Sequence, residues 1–413
     1  MPADYSNLMI YRKRPQAHVP PVPVLVHRRF RANADYRLVA HAELGASERD
    51  LFARLAKNED HYGLLIPRQF LQAGVKAIDN DVARLFRLLA DPGPLPPIFS
   101  DVDPLYLNSR IAGLVLDSVL EVEIHGHYLT GPAASGLVPE VGARSYATRT
   151  LPTPSVLSRD ALQLAAVLPL EDPAQLSAWI YAYNAIPLGP AWLRRLGVTD
   201  RVNERLGLHP GGHNHRRLTG NFLTTPTEAW LSWSRRDRDG LCHDGHLGYK
   251  LYISPHPNSL IEAFDSVIEV IAASDVTAFK LGKGAYGLLR PDKLVIYFDG
   301  WESLYALAVD MEKALAGVTA QGVPFTAGLT EDGLLSWGMD PPADARLSGW
   351  GEMESWRFWL TNQLARALLS ARSSGGDAKQ CLTYATARLR LEGIDTDLWI
   401  PADTLWAETG VGV

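Results

Sequence analysis

Cysteine is nearly absent from this 413-residue chain, which has only Cys242 and Cys381. Two cysteines cannot build a disulfide framework, and they form no CxxC pair for structural zinc, so they favour a reducing cytoplasm. The chain also lacks an apolar run of the ~18 to 20 residues that would span a bilayer, and its N-terminus has no apolar signal-peptide core. We therefore expect a soluble, cytoplasmic protein without a membrane partner.

An excess of positive charge is missing as well. The formal net charge is -6 and 21% of the residues are charged, so no basic field favours nonspecific nucleic-acid binding, and any anion site must be local. No GxxxxGK[ST] loop, GxSxG elbow or HExxH helix occurs. Residues 282–287 (GKGAYG) resemble a phosphate-binding glycine loop only loosely, because we expect no helix to follow them.

The most informative stretch of the sequence is residues 248–342. Apolar β-type runs occupy residues 249–253, 278–281, 294–298 and 334–337. Two helices of amphipathic period separate them, one beginning after Pro257 with Asn258 as N-cap and one at about residues 302–316 with Gly317 as its stop. The order β-α-β-β-α-β predicts a split βαβ sheet with one face covered by helices.

The rest of the chain is rich in helical signals. Helices are predicted at about residues 47–58, 77–90, 159–167, 173–183 and 352–372, with Asp172 capping the fourth. Residues 145–158 are rich in Ser, Thr and Pro and predict a linker. The predicted fold is α+β (mixed α/β), with an N-terminal mixed region at residues 1–150, a helical connecting region at 159–230 and the sheet domain at 231–413.

Lysines interrupt the apolar strands. Lys250 lies in the first strand, Lys280 in the second, and Lys293 begins the third, three residues after Arg290. A lysine inside an apolar strand loses hydration, so its ammonium needs an anion or gives up its proton. Each lysine could instead lie on a solvent-facing side of its strand or reach past a sheet edge. Three of them in one region favour a cationic cleft.

Two other groups of polar residues are candidate sites. Glu121 and Glu123 share one side of a predicted strand, where a carboxylate pair could do acid-base work but a polar outer face is the more common case. The stretch 209–246 is rich in potential metal ligands, although none are at the fixed spacing of a known metal motif. A solvated or substrate-facing loop is therefore favoured over a metal site. The potential ligands are His209, His213, His215, Cys242, His243 and His246.

The order of short motifs in residues 230–338 resembles a known enzyme family. KLYIS at 250–254, AFK at 278–280, a basic loop and KLVIYF at 293–298 are similar to the phosphothreonine lyases of bacterial type III effectors. They also resemble the phosphoserine/phosphothreonine lyase domains of class III and IV lanthipeptide synthetases. The resemblance covers roughly a quarter of the chain.

This resemblance implies β-elimination, in which phosphate leaves a phosphorylated Ser or Thr while a base removes the Cα proton. No cofactor is implied. Lys280 matches the family's base and Lys250 the first lysine of its KxH strand. Arg290, Lys293 and Tyr297 match positions that bind phosphate or line the site. The implied substrate is a phosphorylated ribosomal precursor peptide, recognised by the N-terminal region and supplied by a separate kinase.

The sequence departs from the family at two places. Tyr252 occupies the position of the family's acid histidine, and His256 could substitute for it from just beyond the strand. Trp337 lies where the lyases carry a phosphate-binding arginine, and Arg346 could replace that arginine from nearby. Two alternatives therefore stay open: a non-catalytic peptide-binding or scaffold subunit, and a metalloenzyme that uses the histidine-rich stretch at 209–246.

Overall fold

The computed structural model describes residues 25–55, 60–68, 74–99, 102, 104–137, 151–236, 248–341 and 355–401. Helices and antiparallel sheets are both extensive in these ranges, so the predicted mixed α+β class is confirmed. None of the helices in them combines the length and the apolar character that crossing a bilayer requires.

The first part of the chain forms two small antiparallel sheets. Their strands are β1 (Arg29–Ala32), β2 (Tyr36–Ala40), β3 (His61–Pro67), β4 (Lys76–Asp79), β5 (Gly93–Pro94), β6 (Leu120–Ile124) and β7 (His127–Leu129). One sheet has the order β5-β1-β6-β7 and the other the order β2-β3-β4.

The helices are distributed along the whole chain. They are α1 (Ala46–Leu55), α2 (Asn80–Leu88), α3 (Pro104–Leu116), α4 (Thr153–Ala165), α5 (Pro173–Ala182), α6 (Pro190–Leu196), α7 (Thr199–Arg205), α8 (His213–Thr219), α9 (Leu260–Ala272), α10 (Gly284–Leu288), α11 (Trp301–Ala314), α12 (Trp356–Ser373) and α13 (Ala378–Leu391). As predicted, the Asp172 side chain caps α5 by accepting from the backbone N–H of Gln175 at 2.7 Å.

The predicted linker at residues 145–158 is wrong over its second half, because α4 begins at Thr153. Pro152 is the N-cap and Pro154 lies in the first turn, where proline loses no hydrogen bond. Prolines that suggested a loop therefore mark the start of a helix. The predicted helix at 77–90 begins later than expected, since residues 76–79 form β4 and the Asp79 side chain caps α2.

A larger, seven-stranded antiparallel sheet dominates the second half of the chain. Its strands are β8 (Phe222–Pro226), β9 (Trp230–Arg235), β10 (Tyr249–Ile253), β11 (Ala278–Gly282), β12 (Leu294–Phe298), β13 (Ala327–Gly328) and β14 (Leu335–Met339). The order is β13-β14-β10-β12-β11-β9-β8. A two-stranded sheet of β15 (Ile394–Asp395) and β16 (Ile400–Pro401) follows near the C-terminus.

The observed elements of this region are more numerous than the predicted β-α-β-β-α-β order. The short helix α10 follows β11 directly, contrary to the expectation that the GKGAYG segment opens no helix. Glycine makes this turn possible: Gly284 has φ +66°, and a Cβ on Gly282 would lie 2.3 Å from the carbonyl oxygen of Gly287.

The two faces of the large sheet differ because side chains alternate along each strand. One face presents apolar side chains such as Leu251, Phe279 and Ile296, which are 0% or 1% exposed and belong to the main core with α9 and α11. The other face carries Lys250 and Lys280. We call it the lysine face.

Of the two predicted helix ends beside the sheet, the start of α9 differs from the prediction and the glycine beyond α11 agrees with it. The N-cap of α9 is Ser259, without a side-chain cap bond, so the prediction of Asn258 as N-cap is wrong. Asn258 instead donates its backbone N–H to Nδ1 of His256 at 3.3 Å. Beyond α11, Gly317 takes φ +82°, a conformation that suits glycine where a helix ends.

One cluster of buried side chains runs through most of the described chain, from Leu25 to Ile400. Within this cluster, α12 packs against α5 and α13. The helices α12 and α13 therefore connect the seven-stranded sheet with the helices that precede the sheet. The division into domains at residues 150 and 231 stays a prediction.

Candidate functional site

The register of the strands brings the two strand lysines onto one face. Lys250 on β10 pairs with Tyr297 on β12, and Tyr297 pairs with Ala278 on β11. Lys280 lies two residues beyond Ala278 on β11 and pairs with Ser232 on β9. Because directly paired residues in an antiparallel sheet point to the same side, both lysines and Tyr297 belong to the lysine face.

Lys280 is a partly buried ammonium between aromatic rings. Its Nζ lies 4.2 Å from the centroid of the Trp230 ring and 5.6 Å from that of Tyr297. Within the described part of the chain it has no hydrogen bond, and no carboxylate lies within 4 Å of it. Burial, followed by the positive charge of Lys250, lowers the pKa of Lys280 from 10.5 to about 8.

Lys250 is held by a carboxylate from the strand end next to it. Its Nζ lies 2.5 Å from Oδ2 of Asp340 and 5.3 Å from the Tyr297 ring centroid. Oδ1 of Asp340 accepts the backbone N–H of Trp356, the first residue of α12. One carboxylate therefore fixes both a lysine of the site and the start of a helix.

Arg290 and Arg357 meet at the buried carboxylate of Asp292. Arg290 donates from Nε and Nη2 to the two oxygens of Asp292 at 2.9 Å each, and Arg357 donates from Nη1 at 2.9 Å. The hydroxyl of Tyr181 donates to the same carboxylate at 2.8 Å. The two guanidinium groups hold the pKa of Asp292 far below its usual range, although burial opposes them.

Arg290 extends this network to Lys280. Its guanidinium carbon lies 4.6 Å from the Trp230 ring centroid, so both cations contact the same indole. Burial disfavours charged groups in general. The site nevertheless holds more positive than negative side chains, and this excess of positive charge suits an anionic ligand. The cations are Lys250, Lys280, Arg290 and Arg357, and the carboxylates are Asp292 and Asp340.

The two tyrosines of the lysine face are neutral phenols. Tyr252 is 3% exposed and packs with Val295 and Val323, while Tyr297 is partly exposed. Burial raises the pKa of both tyrosines, that of Tyr252 well above 10. Tyr252 therefore lies on the predicted face, but its proton is costly to remove.

Lys293 and His256 lie at the other end of β12 and β10, beyond Tyr252. Lys293 is 0% exposed, and its Nζ donates to the carbonyl of Pro255 at 2.9 Å and to Oε1 of Gln321. Burial lowers its pKa to about 7. Burial and then Lys293 lower the pKa of His256, whose ring lies 6.3 Å from that of Trp192. The contacts of His256 are thus with this second group rather than with Lys280.

The remaining candidates lie elsewhere or outside the described residues. Arg346, Cys242, His243 and His246 fall outside the described ranges. Nε2 of His213 lies 2.7 Å from Oδ1 of Asp265 on α9. Among the residues that the structure describes, no group of three or more His, Cys, Asp or Glu side chains could hold a metal.

Trp337 occupies the core face of β14, where it packs against Trp301 and Tyr249. Its neighbour Gly338 pairs with Lys250 and so lies on the lysine face. A Cβ on Gly338 would come within 2.4 Å of the Trp356 ring. A side chain at 338 therefore has no room, and one at 337 points away from the lysines.

Glu121 and Glu123 form ion pairs on the outer face of a small sheet. Glu121 pairs with Arg31, and Glu123 pairs with Arg29 at 3.2 Å. Both partners come from β1, so the two carboxylates serve a polar surface and lie in a different sheet from Lys280.

Sequence reasoning missed several residues of the site. Asp292 could have been predicted from the sequence, because it lies between Arg290 and Lys293 in the segment RPDK and is a natural counter-ion for them. Arg357 lay hidden among aromatic residues in WRFW, a segment that predicts only core packing. The other missed residues are Trp230, Tyr181 and Asp340.

No protein-family model matches this sequence, and no curated protein matches it either. Among solved structures, an effector protein from Pseudomonas syringae pv. syringae strain 61 is similar over 60% of this chain and 98% of its own, with 14% identity and a TM-score of 0.38. An effector protein from Pseudomonas syringae pv. tomato strain DC3000 is similar over 60% of this chain and 99% of its own, with 12% identity and a TM-score of 0.35. A phosphothreonine lyase effector from Chromobacterium violaceum is similar over 34% of this chain and 77% of its own, with 15% identity and a TM-score of 0.25. The chain is thus only remotely similar to these effectors, and the resemblance to lanthipeptide synthetases stays a prediction.

Proposed function

We propose that this chain is a cofactor-independent lyase that eliminates phosphate from phosphoserine or phosphothreonine in a peptide and leaves a dehydroamino acid. The observation that carries the proposal is Lys280, a partly buried amine with a pKa of about 8 that lies beside two further cations, Lys250 and Arg290. A base near neutral pH and positive charge for an oxyanion are the two requirements of this elimination.

In the proposed reaction, neutral Lys280 takes the proton from Cα of the phosphorylated residue. The electron pair of that C–H bond forms the Cα=Cβ double bond, and the Cβ–O bond breaks with its electrons going to the phosphate. With a pKa of about 8, roughly a tenth of the Lys280 side chains are neutral at pH 7. Asp292 and Tyr181 hold Arg290 through its Nε and Nη2 groups, which leaves the Nη1 group of this fixed guanidinium to donate to a phosphate oxygen.

The departing phosphate takes up a proton. Tyr252 is a poor donor because burial raises its pKa well above 10, and His256 contacts Trp192 and Asn258 instead of the lysine pair. The geometry favours Lys250, whose ammonium shares the Tyr297 ring with Lys280. We therefore assign Lys250 as donor, with Tyr252 and His256 as the alternatives.

The proposed substrate is a phosphorylated precursor peptide of ribosomal origin, modified in the cytoplasm and phosphorylated by a separate kinase. Arg290 and Tyr297, which lie near Lys280, are proposed substrate-binding residues. Arg346, which falls outside the described residues, is proposed for the same role. Lys293 was predicted for the same role. Its ammonium is buried and bonded to Pro255 and Gln321 at the start of β12, so the protein itself already holds this cation.

A second function, peptide binding without elimination, is favoured by one observation. Tyr252, at the place where the family carries its acid, is buried and has a raised pKa. A chain that has lost its proton donor would still bind a phosphorylated peptide through its cations.

Mass spectrometry of phosphoserine and phosphothreonine peptides incubated with the protein separates the two functions. The lyase proposal predicts that the peptide loses the mass of phosphoric acid. The product should then react with an added thiol reagent, which detects the new double bond. We expect Lys280→Met to abolish the loss. Lys313→Met, a change of the same size on the exposed side of α11, should keep it.

Two results would overturn the proposal. Full activity of Lys280→Met would remove the base from this lysine. Binding of the phosphorylated peptide by the unaltered protein without any change of mass would favour the scaffold function instead.

A further inference from the structure

The lysine face continues beyond Lys280 to the edge of the sheet. Lys280 pairs with Ser232 on β9, and Ser232 pairs with Thr225 on the edge strand β8. One row along, Ala278 pairs with Ser234. These side chains all point to the same side as Lys280, because paired residues of antiparallel strands share a face.

The hydroxyl groups on this part of the face are unpaired among the described residues. Ser232 and Ser234 are partly exposed and Thr225 is exposed, and none has a hydrogen-bond partner in the part of the chain that the structure describes. Two buried serines, by contrast, are bonded: Ser158 donates to the carbonyl of Pro154, and Ser336 bonds to Thr326. The hydroxyls on β9 are therefore accessible to a ligand on the face.

Two sides of Lys280 are closed by described residues, whereas the side towards Tyr297 is partly exposed. Towards β12 and β10, Val295 and Tyr252 are 2% and 3% exposed and pack with Val323. At the β9 hairpin the Trp230 ring covers both Lys280 and Arg290. A peptide whose phosphorylated residue reaches Lys280 must continue as a chain, and one way that the described residues leave open leads across β9.

We propose that Ser232 and Ser234 bind the backbone of the substrate peptide on one side of its phosphorylated residue. This inference rests on the proposed function and adds the residues that select a peptide over a free phosphoamino acid. Adjacent strands are about 4.8 Å apart, so Lys280 and the edge strand are separated by about 10 Å, which an extended peptide covers in about three residues. The hydroxyls donate to peptide carbonyls or accept peptide N–H groups along this path.

The test compares three phosphoserine substrates: a blocked single residue, a peptide extended by about three residues on its N-terminal side, and one extended equally on its C-terminal side. The double variant Ser232→Ala/Ser234→Ala removes two hydrogen bonds, which should raise KM about tenfold for one of the extended peptides. The KM of the blocked residue should not change. Ser234→Trp, which obstructs the path, should act more strongly on the same peptide.

Thr224→Trp is the matched control. Thr224 is an exposed residue on the same edge strand, but it pairs with the buried Trp233 and so points to the opposite face. It should leave KM for every substrate unchanged. Equal effects of Ser234→Trp and Thr224→Trp, or equal effects on the blocked residue and both extended peptides, would refute the inference.

Failure of the lyase proposal can be recognised separately. If the unaltered protein eliminates no phosphate, fluorescence polarisation of the labelled extended peptides replaces KM with Kd. A loss of peptide affinity in Ser234→Trp but not in Thr224→Trp then supports the binding surface without the reaction. Identical affinities in both variants refute the surface, whether or not elimination occurs.

Discussion

Replacing Lys250 by methionine tests whether the two strand lysines share one electrostatic environment. Their Nζ atoms lie 5.3 Å and 5.6 Å from the centroid of the Tyr297 ring, so they are at most about 11 Å apart. At that distance and an effective dielectric constant of about 20, two positive charges repel by about 1.5 kcal/mol. This energy corresponds to about one pKa unit.

The expected direction is upward. Lys250→Met removes a charge that disfavours protonation of Lys280, and it leaves Asp340 without its partner, which favours protonation further. The pKa of Lys280 should therefore rise from about 8 to about 9 or higher. If Lys280 is the base, the rising limb of kcat/KM against pH moves by the same amount in the residual elimination that remains without the proposed donor Lys250, because that limb reports the free enzyme.

Competitive acetylation of the folded protein at a series of pH values, read by mass spectrometry of the peptide that contains Lys280, measures this pKa without requiring activity. Asp340→Asn is the matched control, since it keeps an oxygen for the Trp356 N–H but removes the negative charge. It should shift the midpoint to lower pH. A midpoint that stays near 8 in both variants would contradict the coupling of the two lysines.

Two further predictions concern the frame of the site. Asp292→Asn should lower the free energy of unfolding at pH 7 by about 3 kcal/mol or more, because Arg290 and Arg357 keep their buried charges and lose the shared carboxylate. Since the pKa of Asp292 is depressed, its stabilisation is complete above the unfolded value of about 4 and is lost only as pH falls towards the folded pKa. Urea unfolding at pH 7 and at lower pH measures the effect of the substitution and its pH dependence. A decrease of less than about 1 kcal/mol in the free energy of unfolding at pH 7 would contradict the expected effect of Asp292→Asn. Trp337→Arg should cost about 3 kcal/mol or more in the same assay and restore no phosphate site, because the side chain points at Trp301; tighter phosphate binding by this variant would refute that placement.

The lysine face was partly predictable from the sequence because strand period is a local property. Lys250 and Lys280 each interrupt an apolar run whose neighbours are buried, and such a run must present its polar residue on the side opposite the core. The same reasoning could have placed Trp337. It alternates with Ser336 and Gly338, so its side chain cannot share their face.

The counter-ions of the site were not predictable because they come from distant parts of the chain. Arg357 reaches Asp292 from 65 residues away, and Tyr181 reaches it from 111 residues away. No local pattern encodes such a contact, since it depends on how α5 and α12 pack. Helix ends were also uncertain, as the prolines before α4 show, because proline is equally compatible with a loop and with a first helical turn.

The position of Arg357 on α12 has a consequence for synthesis of the protein. The strands that carry Lys250 and Lys280 leave the ribosome before α12 exists, so Asp292 then lacks one of its two arginines and Asp340 has no helix to cap. An unfinished chain would therefore possess every proposed reacting group without the support that orients them. Folding of α12 therefore completes the ion pairs that hold the proposed reacting groups, and a chain that ends before Arg357 would lack them.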